Sequence, residues 1–362
     1  VNLNDLNVFA DGDVQIIGLT TAWRSAGRTT GIVGTADYMA VEFDPNFVGT
    51  RVLVTVGANA AGSFLHLIND ATGSQVIAPT VFEVTAAEYF AAGGTTAFLL
   101  KAEIALPSDY DPTTGSGRRA YVVTTHGAVT NDDVFRIDNN TFRALGSAKR
   151  GYQSCSYQGT IDEGTLFVGD RAAGGTVRFS TNPQVSLPTW TSTKKAPTGA
   201  TGLFTVRVPA NFVETSKVFC GTGGAVNGDE SAFSVSNNAG VSFDQESIID
   251  QLAATNTVVA IQSVRMTPDG STVFMVTDDG TQLSLWKSAS PVSAVSWSRI
   301  RNFAGTAGIV RVNPDYAESP VVYVADIAAG GAIHRSGNGG DIFATRASPA
   351  GITPVDLAVQ DA

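Results

Sequence analysis

Val206-Arg207-Val208-Pro209-Ala210-Asn211-Phe212 is followed after five residues by Val218-Phe219-Cys220, and the architecture can be read from this segment. Side chains alternate along its first half with the period of two that belongs to a β-strand. Pro209 then removes a backbone donor and ends the strand. A short polar loop carrying Phe212 follows, and a second apolar strand begins.

The same arrangement recurs along the chain. Val41-Glu42-Phe43-Asp44-Pro45-Asn46-Phe47 precedes Val52-Leu53-Val54, and Val310-Arg311-Val312-Asn313-Pro314-Asp315-Tyr316 precedes Val321-Val322-Tyr323-Val324. Val264-Arg265-Met266-Thr267-Pro268-Asp269-Gly270 precedes Val273-Phe274-Met275-Val276 with a shorter loop. A stretched copy runs from Ile104 to Tyr110 and then Ala120-Tyr121-Val122-Val123, and a degenerate one from Tyr152 to Ile161 and then Leu166-Phe167-Val168. A repeat of roughly 50 residues is the length of a propeller blade and exceeds a helical solenoid unit. No sustained 3.6-residue stripe competes with it.

These copies predict an all-β chain, a single β-propeller over residues 1–362, most simply with seven blades of four antiparallel strands. Six blades come from the six copies: 37–95, 96–147, 148–198, 199–252, 253–304 and 305–350. A seventh is expected from the two ends, 1–36 plus 353–362. Val355-Asp356-Leu357-Ala358-Val359 reads as an inner strand with no partner after it, and Asp13 to Leu19 reads as a next strand with none before it. Pairing them would close the ring and remove its edges.

Composition agrees with a strand-rich chain joined by tight turns. Of 362 residues, 43% are hydrophobic and 15% charged, with 38 Gly. A large core can form and disorder is not expected. The formal charge of −10 opposes a polyanionic partner, and pairs such as Arg118-Arg119 and Lys194-Lys195 do not extend into a run of Lys and Arg. Nucleic acid is therefore not expected as a partner. The sequence has no apolar run of eighteen residues, so no membrane insertion is expected. The chain opens at Val1 without an initiator Met, which fits a processed secreted chain or a fragment of a larger protein. Cys155 and Cys220 allow one disulfide and demand none, and two buried free thiols are the expectation.

Ser236-Asn237-Asn238-Ala239-Gly240-Val241-Ser242-Phe243 and Ser336-Gly337-Asn338-Gly339-Gly340-Asp341-Ile342-Phe343 occupy matching places late in their blades. Both resemble the Asp-box, Ser-x-Asp-x-Gly-x-Thr-Trp, of the BNR-like repeat propellers, a group that includes sialidase-like and photosystem-assembly-factor-like proteins. Here Asn stands for the family's Asp. Weaker echoes with longer turns run from Ser180 to Trp190 and from Ser288 to Trp297. The resemblance implies structural hairpin turns built by Ser236, Asn238, Gly240 and Phe243, and by Ser336, Asn338, Gly340 and Phe343. It implies a fold rather than a chemistry.

Arg207, Arg265 and Arg311 hold the same place in three consecutive inner strands, and Glu42 holds it in an earlier one. Inner strands converge on a propeller's axis, so these side chains form a candidate central anion site. The resemblance to sialidases implies that an arginine trio can grip a carboxylate through guanidinium forks. The alternative is that the arginines brace the inner strands, compensated by Glu42, Asp44, Asp269, Asp315 or Asp356. The sialidase Arg-Ile-Pro motif is missing, and no pair of facing carboxylates can be singled out for glycoside hydrolysis. Tyr152 and Tyr157 beside Glu163 are the one imaginable nucleophile pairing. His66, His126 and His334 lie apart without ligand spacing, so neither a metal nor a cofactor is expected.

The function expected is a non-catalytic, exported interaction or scaffold propeller in a cell-surface, surface-layer or filament assembly, with protein partners or copies of itself. The alternative is a carbohydrate-binding protein or sialidase-like glycoside hydrolase that receives a glycan at the central face.

Overall fold

A computed structural model describes residues 15–17, 23–25, 37–59, 62–72, 74–83, 99–127, 132–146, 151–172, 174–199, 203–223, 231–248, 260–292, 295–305, 307–327, 331–346 and 354–359. Strands β1 (Gln15–Ile17) and β2 (Trp23–Ser25) pair, among the described residues, only with each other. Beyond them the chain makes one antiparallel meander after another.

The first meander comprises β3 (Asp37–Phe43), β4 (Val52–Asn59), β5 (Gly62–Asn69) and β6 (Ser74–Gln75), with β7 (Thr80–Glu83) also on β5. The second comprises β8 (Leu99–Ala105), β9 (Arg119–His126), β10 (Asp133–Asp138) and β11 (Thr141–Ala144). The third is β12 (Tyr152–Gly159), β13 (Gly164–Asp170), β14 (Val177–Ser180) and β15 (Thr191–Ser192). The fourth is β16 (Thr205–Arg207), β17 (Val218–Gly221), β18 (Ala232–Ser236) and β19 (Asp244–Ile248). The fifth is β20 (Ala260–Met266), β21 (Val273–Asp278), β22 (Gln282–Ser288) and β23 (Ser298–Ala304). The sixth is β24 (Gly308–Val312), β25 (Val322–Asp326), β26 (Ile333–Ser336) and β27 (Phe343–Arg346).

The first strand of each sheet lies against the first strand of the next, from β3 through β8, β12, β16 and β20 to β24. These are the inner strands of a β-propeller, and its described residues form six blades, not seven. Each of the six sequence copies supplies one blade. Among the described residues the seventh blade expected from the two ends is not made: β1 has only β2 as its partner there, and residues 354–359 form no strand.

The C-terminal segment closes the ring by other means. It lies between β24 and β3, where Arg311 Nε donates to the Leu357 carbonyl at 2.6 Å and the Val41 amide donates to Asp356 Oδ2 at 3.1 Å. Leu357 packs with Ala325 and Ile333 of the sixth blade, and Ala358 with Tyr38, Val41 and Leu53 of the first. Side-chain packing and one carboxylate therefore stand in for a backbone ladder.

The core sits between the sheets. One cluster joins Val54 and Leu67 of the first blade to Ile104 and Val122 of the second, and another joins Tyr121 and Val134 of the second to Leu166 and Val168 of the third. Phe167 and Val177 pack with Val206 and Val218 across the next boundary, Phe219 and Val235 with Val264 and Met275, and Phe274 and Leu285 with Val310 and Val324. The second strands place large side chains at these boundaries, and Leu53, Tyr121, Phe167, Phe219 and Phe274 are all fully buried. Burial of side chains of this size contributes about 1.5–3 kcal/mol each, so the blade boundaries carry most of the favourable free energy.

In each blade the loop after the inner strand turns within about a dozen residues or fewer, and in two blades it winds into a single helical turn, α1 (Phe47–Thr50) and α2 (Phe212–Thr215). Arg51 and Ser216 leave these turns at φ of 60° and 53° and return the chain to the second strand. Cys155 and Cys220 are both buried free thiols. Among the described residues no helix is long and apolar enough to cross a membrane.

Candidate functional site

Inner strands meet their neighbours side by side without a continuous ladder, so their backbone groups need other partners. Short polar side chains supply many of them. Ser154 Oγ accepts the Val206 amide at 2.9 Å and donates to the Phe204 carbonyl at 2.8 Å, while Ser156 Oγ accepts the Val208 amide at 3.1 Å and Ser263 Oγ the Val310 amide at 3.3 Å.

The charged residues on the axis follow the same rule. Glu103 Oε2 accepts the Cys155 amide at 2.8 Å, as Asp356 Oδ2 accepts that of Val41. Arg207 Nε donates to the Val264 carbonyl at 3.1 Å, as Arg311 Nε donates to that of Leu357. Acid and guanidinium then meet. Arg207 forms a two-pronged pair with Glu103, with Nη1 at 3.0 Å from Oε2 and Nη2 on Oε1. Arg311 Nη2 pairs with Asp356 Oδ1.

Arg265 is held less firmly. Its Nη2 stands 3.5 Å from Glu103 Oε1 and its Nη1 donates to the Val264 carbonyl at 3.1 Å. Glu42, on the inner strand of the first blade, makes no hydrogen bond or ion pair among the described residues. The two line one axial cavity of about 280 Å3 together with Glu103, Arg207, Cys155, Ser156 and Tyr157. Phe43, Ala105 and Leu106 line it as well, and with Arg207 they stand at or just past the ends of β3, β8 and β16, so the cavity lies towards the loops that join each inner strand to the second strand.

Burial and charge set the protonation of the cluster. Burial pushes the Glu42 carboxyl up to about 7, against the pull of Arg311 and with the help of Asp356. Burial also acts to raise Glu103, but Arg207, Lys101 and Arg265 outweigh it and hold that carboxyl at about 2. Burial lowers Arg265 to about 9, and the neighbouring Arg207 and Arg311 add to the effect. Lys101, whose Nζ donates to the Gln153 carbonyl at 3.1 Å, is lowered by burial as well.

The structure thus brings Arg207, Arg265, Arg311 and Glu42 to one axis. Of the acids expected to compensate them, Asp356 takes that place. Asp44, Asp269 and Asp315 do not: Asp44 accepts the Asn46 amide at 2.8 Å, Asp269 binds Thr267 and Ser271 at 2.6 and 2.9 Å, and the Asp315 amide is held by Asn313. Asp44 and Asp269 cap their own loops, and Asp315 lies exposed on its loop.

Glu103 and Lys101 escape sequence reasoning. Their only signal is a pair of charged residues in an otherwise apolar strand, Leu99 to Ala105. The Tyr157 hydroxyl donates to the Thr160 carbonyl at 2.5 Å, and burial pushes its pKa up. Among the described residues no three His, Cys, Asp or Glu side chains gather as metal ligands. His66, for one, meets the Tyr38 hydroxyl at 2.8 Å.

The Ser-x-Asn-x-Gly turns are superposable in their bonding. Ser236 Oγ accepts the Gly240 amide at 2.9 Å and Asn238 Oδ1 the Ser242 amide at 2.9 Å. Ser336 Oγ accepts the Gly340 amide at 2.9 Å and Asn338 Oδ1 the Ile342 amide at 3.0 Å. Gly240 and Gly340 sit at φ of 84° and 99°, where a side chain would be strained. Phe243 is buried beneath its turn and Phe343 is half-buried. The longer echo keeps the start of the network, with Ser180 Oγ donating to Asn182 Oδ1 at 3.0 Å, and its loop leans on the second blade through Arg136 and the Val185 carbonyl at 2.8 Å.

Fold and axis together define the class: a β-propeller whose inner strands are tied by a ring of ion pairs and serines. No protein-family model matches the chain, nor does any curated protein sequence. No family model therefore assigns its turns to the Asp-box repeat. Among solved structures it is similar to the GH74 xyloglucanase from Xanthomonas campestris, at 14% identity and a TM-score of 0.54. That match covers 86% of this chain and 46% of the enzyme, so the chain spans less than half of the enzyme's length. It is also similar to Sqt1 of Saccharomyces cerevisiae, at 11% identity and TM-score 0.55 over 93% of this chain and 80% of that one. Hydrazine synthase of Kuenenia stuttgartiensis matches at 10% identity and TM-score 0.54 over 81% and 75%. At such identities the likeness is one of fold alone.

Proposed function

We propose that this propeller is a non-catalytic, exported interaction module whose working surface is the face carrying the loops between first and second strands. In an antiparallel meander, the turns after the first and third strands emerge at the same end of the sheet. The observation that carries the proposal is the gathering of exposed apolar side chains at that end. Val48 and Val213 project from α1 and α2 with 74% and 77% of their surface exposed, and Leu187 and Ile342 from third-to-fourth turns with 84% and 72%. Large apolar side chains left in water at the tips of rigid turns favour a partner that covers them.

Charge narrows the partner. Asp109, Asp162, Glu163, Glu214, Asp269, Asp315 and Glu318 are exposed on the same loops in five consecutive blades. The face suits a protein surface that is basic around apolar contacts. The axial arginines support the reading from the other side, since Arg207 and Arg311 are consumed by internal acids and leave no three-armed fork. The Thr, Ser, Gly and Ala-rich, acidic composition supports export.

The test is cross-linking with mass spectrometry on the chain in its native source. Links to a second protein should concentrate on the loops bearing Val48, Leu187 and Val213, and should fall away in the triple variant Val48→Asp, Leu187→Asp, Val213→Asp. Links spread over the outer strands and unchanged in that variant would sink the proposal. So would turnover of a polysaccharide by the purified chain that Glu103→Gln abolishes.

A further inference from the structure

The axis holds more positive than negative charge. Lys101, Arg207, Arg265 and Arg311 face three acids, Glu42, Glu103 and Asp356. Two of those acids are already committed, Glu103 to Arg207 and Asp356 to Arg311. The remaining carboxyl, Glu42, is paired with nothing described, and the one acid beside Arg265, at 3.5 Å, is a carboxylate that Arg207 grips more closely. A partly desolvated guanidinium with idle donors is costly unless an acceptor reaches it. Glu42 and Arg265 line the same cavity of about 280 Å3, and that volume admits a small polar molecule.

We propose that this cavity binds one small oxyanion between the Arg265 guanidinium and the Glu42 carboxyl, and that Glu42 takes up one proton from the solvent as the anion enters. The guanidinium presents a planar fork suited to two oxygens. The protonated Glu42 donates its O–H to the anion and avoids placing two negative charges side by side. Glu42 is faced by Arg311 on β24, Arg265 on β20, Glu103 on β8 and Asp356 in the C-terminal segment. The two acids among these disfavour its ionised form, and an arriving anion adds a third negative neighbour. The high resting pKa of Glu42 is in keeping with this arrangement. The site uses one arginine and an acid, and needs neither Arg207 nor Arg311.

Titration calorimetry of the full chain with sodium acetate, and separately with sodium phosphate, decides the matter when run in buffers of different ionisation enthalpy. At pH 8, where Glu42 rests largely ionised, the expected result is saturable binding of at least one of them, with about one proton taken up per anion and affinity falling about tenfold per pH unit above 7. Acetate alone assigns a carboxylate ligand and phosphate alone an inorganic one. Glu42→Gln should bind without proton uptake and without that pH dependence, and Arg265→Gln should lose binding. Should Arg265→Gln fail to fold, the Glu42→Gln titration still decides. The proposal is overturned if neither anion binds, if sodium chloride competes equally, or if the proton count is zero or survives in Glu42→Gln. None of these outcomes touches the loop face, so the interaction reading stands or falls separately.

Discussion

The backbone amide of Val41 donates to Asp356 Oδ2 across 315 positions of sequence, and the same carboxylate receives the guanidinium of Arg311. One side chain thereby joins the sixth blade to the first. The contact does for this ring what a shared strand would do, with far fewer backbone bonds.

Closure through one carboxylate should make the ring sensitive to it. Asp356→Ala leaves the Arg311 guanidinium and the Val41 amide buried without their acceptor. Removing one partner of a buried pair costs about 3–5 kcal/mol. Urea unfolding followed by tryptophan fluorescence should show that loss, and deletion of residues 354–362 should show at least as much. An unchanged midpoint in both variants would mean that the ring is not held at this point.

Two groups of opposite sign shape the response to pH. Glu42 is protonated in the folded chain up to about 7 but has an ordinary value of 4.5, so the folded chain binds more protons between them. Stability therefore falls as pH rises through that window and levels off above it. Burial lowers His66 to about 4 from 6.5, as it does His334 with help from Arg301, so the folded chain binds fewer protons over that range. This contribution makes stability rise with pH, and the two slopes oppose one another. Glu42→Gln should uncover the histidine slope, with unfolding midpoints climbing from pH 4.5 to 7 more steeply than in the parent. Parallel profiles for parent and variant would refute the placement of Glu42.

The hairpin turns offer a graded pair of substitutions. Ser236→Ala removes the acceptor of the Gly240 amide and should cost about 1 kcal/mol. Gly240→Ala should cost more, about 2 kcal/mol. Its Cβ would stand 2.7 Å from Phe167 Cε1 on a residue already at φ of 84°. Equal midpoints for the two variants in thermal unfolding would argue that space, rather than bonding, is not what the glycine provides.

The blades were legible because local rules make them. Period-two alternation recurs in six places, with a proline at the strand end in five of them and an aromatic in the loop in four, and each place is a sheet. The ends were misread because an inner-strand pattern in Val355 to Val359 says nothing of whether a ladder forms, and here Pro354 and the Asp356 side chain replace one. The axial arginines were visible as matching positions and Asp356 stood among the acids expected beside them, but Glu103 was not visible. Glu103 lies 104 positions from Arg207 and 162 from Arg265, and no spacing rule reaches that far. Only the closed ring brings them within bonding distance.

Each blade is built from consecutive strands, so it can form as soon as its own residues leave the ribosome. The link from Val41 to Asp356 cannot. At the usual 5–20 residues per second, the amide waits roughly 15–60 s for its acceptor to be synthesised. Throughout that interval the Val41 amide lacks the acceptor that the closed ring gives it. Safe synthesis of this chain therefore depends on what shields Val41 during that wait.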